Sequence, residues 1–249
     1  MIDSHTHLDS CKEPDVELVE QARRIGITRI LTVGTNSRSC EAALGAAEAF
    51  PEVFAAIGRH PNDATGYDDA VAAELRTFAA DPGCVAIGET GLDYFRDYAP
   101  ADDQRRAFLD HIALARETDK ALVIHTRAAS EETVATLREH AGGLRVVMHC
   151  FSMPDWVHAC VSEGWWISFA GNVTYPANGE LADALLDVPD DKILVETDAP
   201  YLSPVPVRRE KNRTEHVMHT ADFVAEKRGI TARELDTLVT ANAAALFRW

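Results

Sequence analysis

The sequence contains no run of eighteen or more apolar residues, and its first residues lack the basic stretch and apolar segment of a secretory signal. We therefore expect a cytoplasmic protein that makes no membrane contact. Cysteines are few, and the five occur without any CxxC pair, which argues against a disulfide framework and against a structural zinc knuckle. The chain also lacks repeats, low-complexity tracts and linkers, so nothing indicates a second domain or an obligate protein partner.

Positive charge is scarce as well. The chain has 24 lysines and arginines against 40 aspartates and glutamates, a formal net charge of -16. A protein that grips a long nucleic-acid backbone usually carries a basic patch, so binding of extended duplexes is disfavoured. The charge does not exclude hydrolysis of a phosphate ester at a metal centre, because bound metal ions supply positive charge locally.

Short β-branched or apolar segments alternate with amphipathic segments along the chain, a pattern typical of βα units around a parallel sheet. The predicted strands are residues 2–7, 29–35, 53–60, 85–91, 122–126, 146–150, 166–171 and 193–198. Eight such units in 249 residues match the size of a (β/α)8 TIM barrel. We therefore predict an α/β fold of this class, with a single domain over residues 1–249.

Two segments near the C-terminus have their own signatures. Residues 201–214 contain Pro204, Pro206 and a basic run from Arg208 to Arg213, which predicts an irregular loop. Thr231 precedes Glu234 by three positions, the spacing of a capping box. A terminal helix is predicted to begin there.

Five of the ten histidines fall at or just beyond the carboxyl ends of predicted strands. They are His5, His7, His60, His125 and His149. Catalytic groups of TIM barrels come from these strand ends and the loops that follow them. Side chains two positions apart on a strand share a face, so His5 and His7 can reach one metal ion. For that pair alone, two ordinary polar residues at a strand end remain an alternative.

Two carboxylates follow the apolar residues of predicted strands in the same way. Glu89 ends Val-Ala-Ile-Gly-Glu, and Asp198 ends Lys-Ile-Leu-Val-Glu-Thr-Asp. A buried carboxylate without a partner is costly, so a metal ion is a simpler explanation for Glu89 than a structural pairing. Asp198 is predicted to be a metal ligand and the general base that takes a proton from water. Glu196 either supports a ligand histidine or has a purely structural role.

Together these residue types predict a binuclear metal centre that hydrolyses its substrate. The predicted ligands of the two divalent ions are His5, His7, Glu89, His125, His149 and Asp198. Mixed histidine and carboxylate ligation fits Zn²⁺ or Mn²⁺ better than Mg²⁺ alone, because Mg²⁺ prefers oxygen ligands. Such ions ionise water near neutral pH and hold the attacked oxygen.

Six motifs spread over nearly the whole chain carry a family resemblance. They are Asp3-Ser-His-Thr-His-Leu-Asp9, Gly58-Arg-His-Pro61, Ile87-Gly-Glu-Thr-Gly-Leu-Asp-Tyr94, Val123-Ile-His-Thr-Arg127, Met148-His-Cys-Phe-Ser152 and Val195-Glu-Thr-Asp-Ala-Pro-Tyr-Leu202. With them the chain resembles the TatD family of metal-dependent deoxyribonucleases, within the amidohydrolase-like metallohydrolases. The resemblance implies one metal site made of His5, His7, Glu89 and Asp198, a second made of Glu89, His125 and His149, and a substrate-facing role for His60.

The resemblance has two informative details. Many relatives in the wider class bridge their metals with a carbamylated lysine where this chain has Glu89, which points away from those amidases and lactonases. The family usually has Arg-Asn-Glu-Pro in the loop after the last strand, whereas this chain reads Lys211-Asn-Arg-Thr214 and retains only Asn212.

The leading functional hypothesis is a phosphodiesterase that degrades single-stranded DNA from an end. Arg127 is a candidate phosphate contact, with a salt bridge at the barrel rim as the alternative. Tyr94, in a loop with other aromatic residues, is a candidate for stacking on a base or for packing the loop.

An ester or amide hydrolase, such as a D-aminoacyl-tRNA deacylase, is the second hypothesis. A non-catalytic binding module is the third, and it predicts lost ligands, whereas every expected ligand is present.

Overall fold

The computed structural model describes residues 1–96 and 98–249. In these residues eight strands alternate with nine α-helices. The strands are β1 (Ile2–Thr6), β2 (Arg29–Val33), β3 (Val53–Ile57), β4 (Cys84–Asp93), β5 (Ala121–Arg127), β6 (Val146–Met148), β7 (Trp166–Phe169) and β8 (Ile193–Val195). The helices are α1 (Asp15–Arg24), α2 (Ser37–Ala49), α3 (Asp69–Ala79), α4 (Ala101–Thr118), α5 (Ser130–His140), α6 (Val157–Ser162), α7 (Gly179–Ala184), α8 (Val217–Arg228) and α9 (Ala232–Phe247).

The strands follow chain order in one eight-stranded sheet. The pairs β1–β2, β3–β4, β4–β5, β5–β6 and β7–β8 are parallel. This order, with helices between the strands, confirms the predicted α/β fold of the (β/α)8 TIM-barrel class. The predicted terminal helix is confirmed too, since Thr231 and Glu234 form the capping box at the start of α9. A single domain over residues 1–249 stays a prediction.

The contacts of the chain group into two compact units. Unit 1 comprises Met1–Thr32 and His149–Arg248, and unit 2 comprises Val33–Met148 with Trp249. Large apolar side chains are fully buried in both. In unit 1 they include Ile2, Leu18 and Phe169, and in unit 2 they include Ile57 and Phe108. Burial of such side chains is the main stabilising contribution to each unit.

Several strand boundaries differ from the prediction and matter for the candidate site residues. Strands β1 and β3 end at Thr6 and Ile57, so His7 and His60 lie beyond them. Strands β6 and β8 end at Met148 and Val195, so His149 and Asp198 lie in the turns beyond them rather than at the strand ends. The backbone turns there because Cys150 and Asp198 have positive φ angles of 43° and 54°, which leave the extended region. Strand β4 continues to Asp93, two residues past its predicted end.

A glycine allows the outer half of β4 to lie against β5 in unit 2. Gly91 has a φ of 136°, and a Cβ atom there would stand 2.0 Å from the carbonyl oxygen of His125. Only glycine tolerates both conditions. The close approach places the carboxyl end of β4 beside His125, with Gly91 and His125 as register partners.

His111 supports the segment that precedes His60. Its Nε2 accepts a 2.8 Å hydrogen bond from the backbone N–H of Arg59, and its Nδ1 donates to the carbonyl of Ala107 at 2.5 Å. Burial, with the nearby charge of Arg59, lowers the pKa of His111 to about 4. The imidazole is therefore neutral and fully hydrogen-bonded at neutral pH.

This burial predicts a pH-dependent loss of stability. A histidine in the unfolded chain titrates near pH 6.5, so protons favour unfolding as the pH falls from 6.5 towards 4. Between pH 7.5 and 4.5, His111 is expected to remove about 2–3 kcal/mol from the free energy of unfolding. Urea unfolding of wild type and His111→Gln at both pH values measures this, because glutamine offers a donor and an acceptor but does not titrate. Parallel pH profiles for the two proteins would contradict the assignment.

None of the helices built from the described residues is both long enough and apolar enough to cross a membrane.

Candidate functional site

Unit 1 brings together His5 of β1, His7 directly after that strand, and the aspartate that follows β8. The Nε2 atoms of His5 and His7 are 3.3 Å apart, and the Oδ1 atom of Asp198 lies 3.4 Å from His7 Nε2 and 4.0 Å from His5 Nε2. All three residues are buried. Ligands held at about 2.1 Å around a tetrahedral ion are about 3.4 Å apart. The three atoms are thus spaced like ligands of one ion.

Asp198 is ionised in this setting. Burial raises its pKa, but the hydrogen bond from His7 and the imidazoles of His149, His7 and His5 outweigh that effect and lower the pKa below its ordinary value. The backbone is held on both sides, since Asp198 N–H donates to the His5 carbonyl at 2.9 Å and His7 N–H donates to the Ala199 carbonyl at 2.8 Å. The carboxylate is therefore charged and fixed beside β1.

Asp3 adds a further constraint on this turn. Its carboxylate accepts bonds from the Thr197 backbone N–H at 2.9 Å and from the Thr197 hydroxyl at 2.6 Å. Burial raises the pKa of Asp3 to about 8. The sequence reasoning gave Asp3 no role, although its position two residues before His5 on β1 was a signal that it shares the face of the ligand histidines.

His149 is oriented by a buried glutamate. The Oε1 atom of Glu196 lies 3.1 Å from His149 Nδ1 and accepts the backbone N–H of Cys150 at 2.8 Å. The ring of His149 stacks on that of His5, with centroids 3.9 Å apart. A histidine that donates its Nδ1–H to a carboxylate coordinates metal through Nε2. The contact agrees with the supporting role considered for Glu196.

Glu196 also provides a test of whether these residues fit a cation. Its Oε2 atom is fully buried and has no hydrogen-bond partner among residues 1–96 and 98–249. Ligand atoms of His5, His149 and Glu196 all lie within 4.8 Å of one another. A buried carboxylate oxygen without a donor is costly, and a cation among these atoms removes the cost. The donor set of unit 1 therefore fits a divalent metal ion.

Unit 2 contains a second cluster, formed by His60 after β3 and by residues in the second halves of β4 and β5. The Oε1 atom of Glu89 lies 2.8 Å from His125 Nδ1 and 3.4 Å from His60 Nε2. Glu89 is buried, whereas both histidines are half-buried. On β5 the four apolar residues before His125 are buried and Arg127 is exposed. The polar end of the strand therefore lies outside the core.

The proton positions in this cluster follow from its hydrogen bonds. His60 Nδ1 accepts the backbone N–H of Asn62 at 3.0 Å, so a neutral His60 carries its hydrogen on Nε2 and directs it towards Glu89. His125 uses Nε2 to contact Asp93 Oδ2 at 3.2 Å, which leaves Nδ1 as the nitrogen that faces Glu89.

Asp93 is the main residue of this cluster that the sequence reasoning missed. Burial raises its pKa, but hydrogen bonds from His125, the Arg96 N–H and the Asn62 amide lower the pKa well below its usual range. Gln104 accepts the backbone N–H of Asp93 at 2.9 Å. The signal in the sequence was its spacing: Asp93 lies four positions after Glu89, so on an extended strand the two side chains share a face.

The two candidate substrate contacts have different surroundings. Arg127 is exposed, and its guanidinium carbon stands 3.8 Å from the ring centre of Phe95, which is itself 64% exposed. Within the described part of the chain no carboxylate pairs with Arg127, so the rim salt bridge is not observed. The hydroxyl of Tyr94 donates to Glu132 at 2.9 Å, which ties its loop to α5.

The loop that follows β8 is irregular, as predicted, and Asn212 anchors it. The buried amide of Asn212 donates to the Thr197 carbonyl at 2.7 Å and to the Tyr201 carbonyl at 2.5 Å, and its Oδ1 accepts the Arg213 N–H at 3.1 Å. A residue fourteen positions along the chain thus fixes the turn that carries Asp198.

The comparisons with known proteins agree on one family. Residues 2–248 match the family model described as TatD related DNase. The uncharacterized metal-dependent hydrolase TatD of Mycobacterium tuberculosis is 38% identical, over 98% of this chain and 96% of its own length. The 3'-5' ssDNA/RNA exonuclease TatD of Pectobacterium carotovorum is 34% identical, over 100% of this chain and 99% of its own. The crystal structure of YJJV, a TatD homologue from Escherichia coli, is similar with a TM-score of 0.93 and 26% identity, covering 100% of this chain and 98% of its own.

Proposed function

The chain belongs to the TatD-related DNase family of metal-dependent hydrolases, and on this premise we propose that it hydrolyses phosphodiester bonds of single-stranded DNA, removing nucleotides from an end. The observation that carries the proposal is the spacing of His5, His7 and Asp198, whose side-chain atoms lie 3.3, 3.4 and 4.0 Å apart. Three buried ligand atoms at these separations fit one divalent ion.

We propose two divalent ions per chain, with the ligand set predicted from the sequence. His5, His7, Glu89 and Asp198 are the ligands of one ion, and Glu89, His125 and His149 are the ligands of the other. Zn²⁺, Mn²⁺ and Mg²⁺ are the candidate ions, and the number of imidazole ligands favours Zn²⁺ or Mn²⁺. When bound, such ions lower the pKa of water and polarise the phosphoryl group.

The side chains of the site have three further proposed roles: accepting a proton, contacting the substrate and orienting the ligand histidines. Asp198 is ionised and accepts the proton of the attacking water. His60 carries its hydrogen on Nε2, and we propose this N–H as its contact with an oxygen of the substrate. Glu196 orients His149, and Asp93 orients His125, through one hydrogen bond each. Such bonds fix the ring and its tautomer.

The proposed substrate is an unpaired strand. The net charge of -16 disfavours binding along an extended duplex, and this favours a free end of a single strand as the substrate. Arg127 is proposed to hold a phosphate, because its guanidinium is exposed and stacks on Phe95, and no carboxylate among the described residues pairs with it. Tyr94 is proposed as a substrate contact through its ring, while its hydroxyl is held by Glu132.

A substrate comparison tests the proposal. Metal-loaded protein is offered a single-stranded oligonucleotide, its duplex, and an aminoacyl ester under the same metal concentration. We expect shortening of the single strand by successive nucleotides, with the duplex and the ester cleaved at least about tenfold more slowly. Intact single-stranded DNA would contradict the proposed function, and preferential cleavage of the ester would favour an aminoacyl ester hydrolase instead.

A further inference from the structure

An arginine of the loop after β8 stands over a tyrosine of the loop after β7, both in unit 1. The guanidinium carbon of Arg208 is 4.2 Å from the ring centre of Tyr175. Arg208 is exposed and Tyr175 is half-buried. Across residues 1–96 and 98–249, no carboxylate or carbonyl contacts the Arg208 guanidinium. An arginine held by a ring face keeps its N–H donors for another acceptor.

The tyrosine is fixed by the segment that carries the arginine. Its hydroxyl donates to the Ser203 carbonyl at 3.0 Å. The Val205 N–H donates to the Thr174 hydroxyl at 2.9 Å. A Cβ atom on Gly171 would stand 2.1 Å from the Leu202 carbonyl oxygen, so the two loops approach as closely as a glycine permits. The ring is therefore a fixed support for the guanidinium.

This pair is connected to the turn that carries Asp198. The Ser203 carbonyl that accepts the Tyr175 hydroxyl lies five positions after Asp198, and the Tyr201 N–H donates to the Asp198 carbonyl at 2.8 Å. Tyr201, in the same turn as Asp198, places its ring at a steep angle to His7 with centroids 6.1 Å apart.

The other charges of the basic run are used differently. Arg213 forms ion pairs with three glutamates at distances of 3.8, 3.5 and 3.3 Å; the partners are Glu13, Glu210 and Glu215. Arg209 is exposed, and within the described residues it has no recorded aromatic or carboxylate contact. Among the described residues, Arg208 therefore combines a fixed aromatic support with N–H donors that no carboxylate accepts, which neither Arg209 nor Arg213 does.

We propose that Arg208 binds a backbone phosphate of the nucleic-acid strand next to the bond that is cleaved, and that Tyr175 positions it. A planar guanidinium offers two N–H donors to one phosphate, a strong and directional contact. This inference rests on the proposed function, since it names a further contact for the same substrate. Arg208 is a substrate-binding residue, and Tyr175 acts through it.

The experiment compares two neighbouring arginines whose replacement removes the same charge. Hydrolysis of a 5'-fluorescein-labelled deoxythymidine decamer is measured for wild type, Arg208→Gln and Arg209→Gln over a range of salt concentrations. For Arg208→Gln we expect a KM raised about tenfold, kcat changed less than about threefold, and a dependence of log KM on log salt that is shallower by roughly 0.7 to 1. For Arg209→Gln we expect values close to wild type.

Two further variants separate a positioning role from a structural one. Tyr175→Leu removes the ring and is expected to raise KM about as much as Arg208→Gln. Tyr175→Phe keeps the ring but loses the hydrogen bond to Ser203, and its KM is expected to stay close to the wild-type value. Arg208→Lys keeps the charge without the planar donors, and its KM should fall between those of wild type and Arg208→Gln. Thermal unfolding of each variant checks that the fold is retained.

The outcomes are distinct. Equal effects of Arg208→Gln and Arg209→Gln on KM and on the salt dependence would overturn this inference and leave the proposed function standing, because the wild type would still cleave the decamer. A decamer left intact by the wild type would overturn the proposed function and this inference with it. A KM effect in Arg208→Gln that Tyr175→Leu reproduces supports it.

Discussion

Replacement of Asp198 by asparagine is expected to reduce hydrolysis of single-stranded DNA by at least about a thousandfold. Asparagine keeps the size of the side chain but removes both the negative charge and the proton acceptor. Loss of a general base alone costs about a hundredfold to ten-thousandfold. A weakened metal site adds to that loss, since the Asp198 oxygen is 3.4 Å from His7 Nε2.

The matched control is Asp191→Asn, which removes the same charge from an exposed turn before β8. The measurement is the initial rate of nucleotide release by each metal-loaded protein at equal concentration. We expect Asp191→Asn to match wild type. Retention of more than about a tenth of wild-type activity by Asp198→Asn would contradict its role as base and ligand.

Replacement of Glu89 by glutamine is expected to have the second large effect. Its carboxylate oxygen lies 2.8 Å from His125 and 3.4 Å from His60, so the charge is close enough to His125 to hold a cation together with it. An amide of the same shape is a weaker metal ligand. Loss of a metal ion removes several kcal/mol of transition-state stabilisation, which corresponds to a rate lower by about a thousandfold.

Glu48→Gln is the control for this change, because Glu48 is exposed on α2 in the same unit. Rates are measured across a range of Mn²⁺ concentrations, and bound metal is measured on the same samples. We expect Glu89→Gln to bind less metal than Glu48→Gln at every concentration. Unchanged metal content together with wild-type rates in Glu89→Gln would exclude it as a ligand.

The pattern of the sequence predicted most of the fold, because each strand of a parallel sheet buried on both faces is a short apolar run. All eight predicted strands are present. Their ends were less well predicted: Cys150 and Asp198 adopt left-handed backbone angles, and neither residue type requires one. Polar residues follow the apolar ones in both segments, and because strands also contain polar residues, the sequence pattern does not show where the strand ends.

The candidate ligands were predictable because histidines and carboxylates recur at the same place in successive units. The groups that orient them were harder to find. Asp93 and Asp3 are recognisable only because each lies an even number of positions from a ligand and so shares its face of the strand. The sequence gives no indication of the role of His111. Its bond to Arg59 joins a helix to the segment after β3, 52 positions away in the chain, and local patterns contain no information on such a contact.

The same reason explains why Arg208 was not separated from its basic run. In the sequence its charge is equivalent to that of Arg209. The structure distinguishes them through Tyr175, 33 positions earlier, whose ring lies 4.2 Å from the Arg208 guanidinium carbon. Which arginine of a basic run has a specific role is therefore decided by tertiary contacts, and the amino-acid composition of the run does not reveal it.

The most direct test of a metal-dependent hydrolase with two ions is the metal content of the active protein. Wild type is dialysed against Mn²⁺, its bound metal is quantified by mass spectrometry, and nucleotide release from single-stranded DNA is measured on the same sample before and after chelation. We predict about two ions per chain, with activity lost on their removal and regained on their return. Full activity with one ion or none per chain would contradict it.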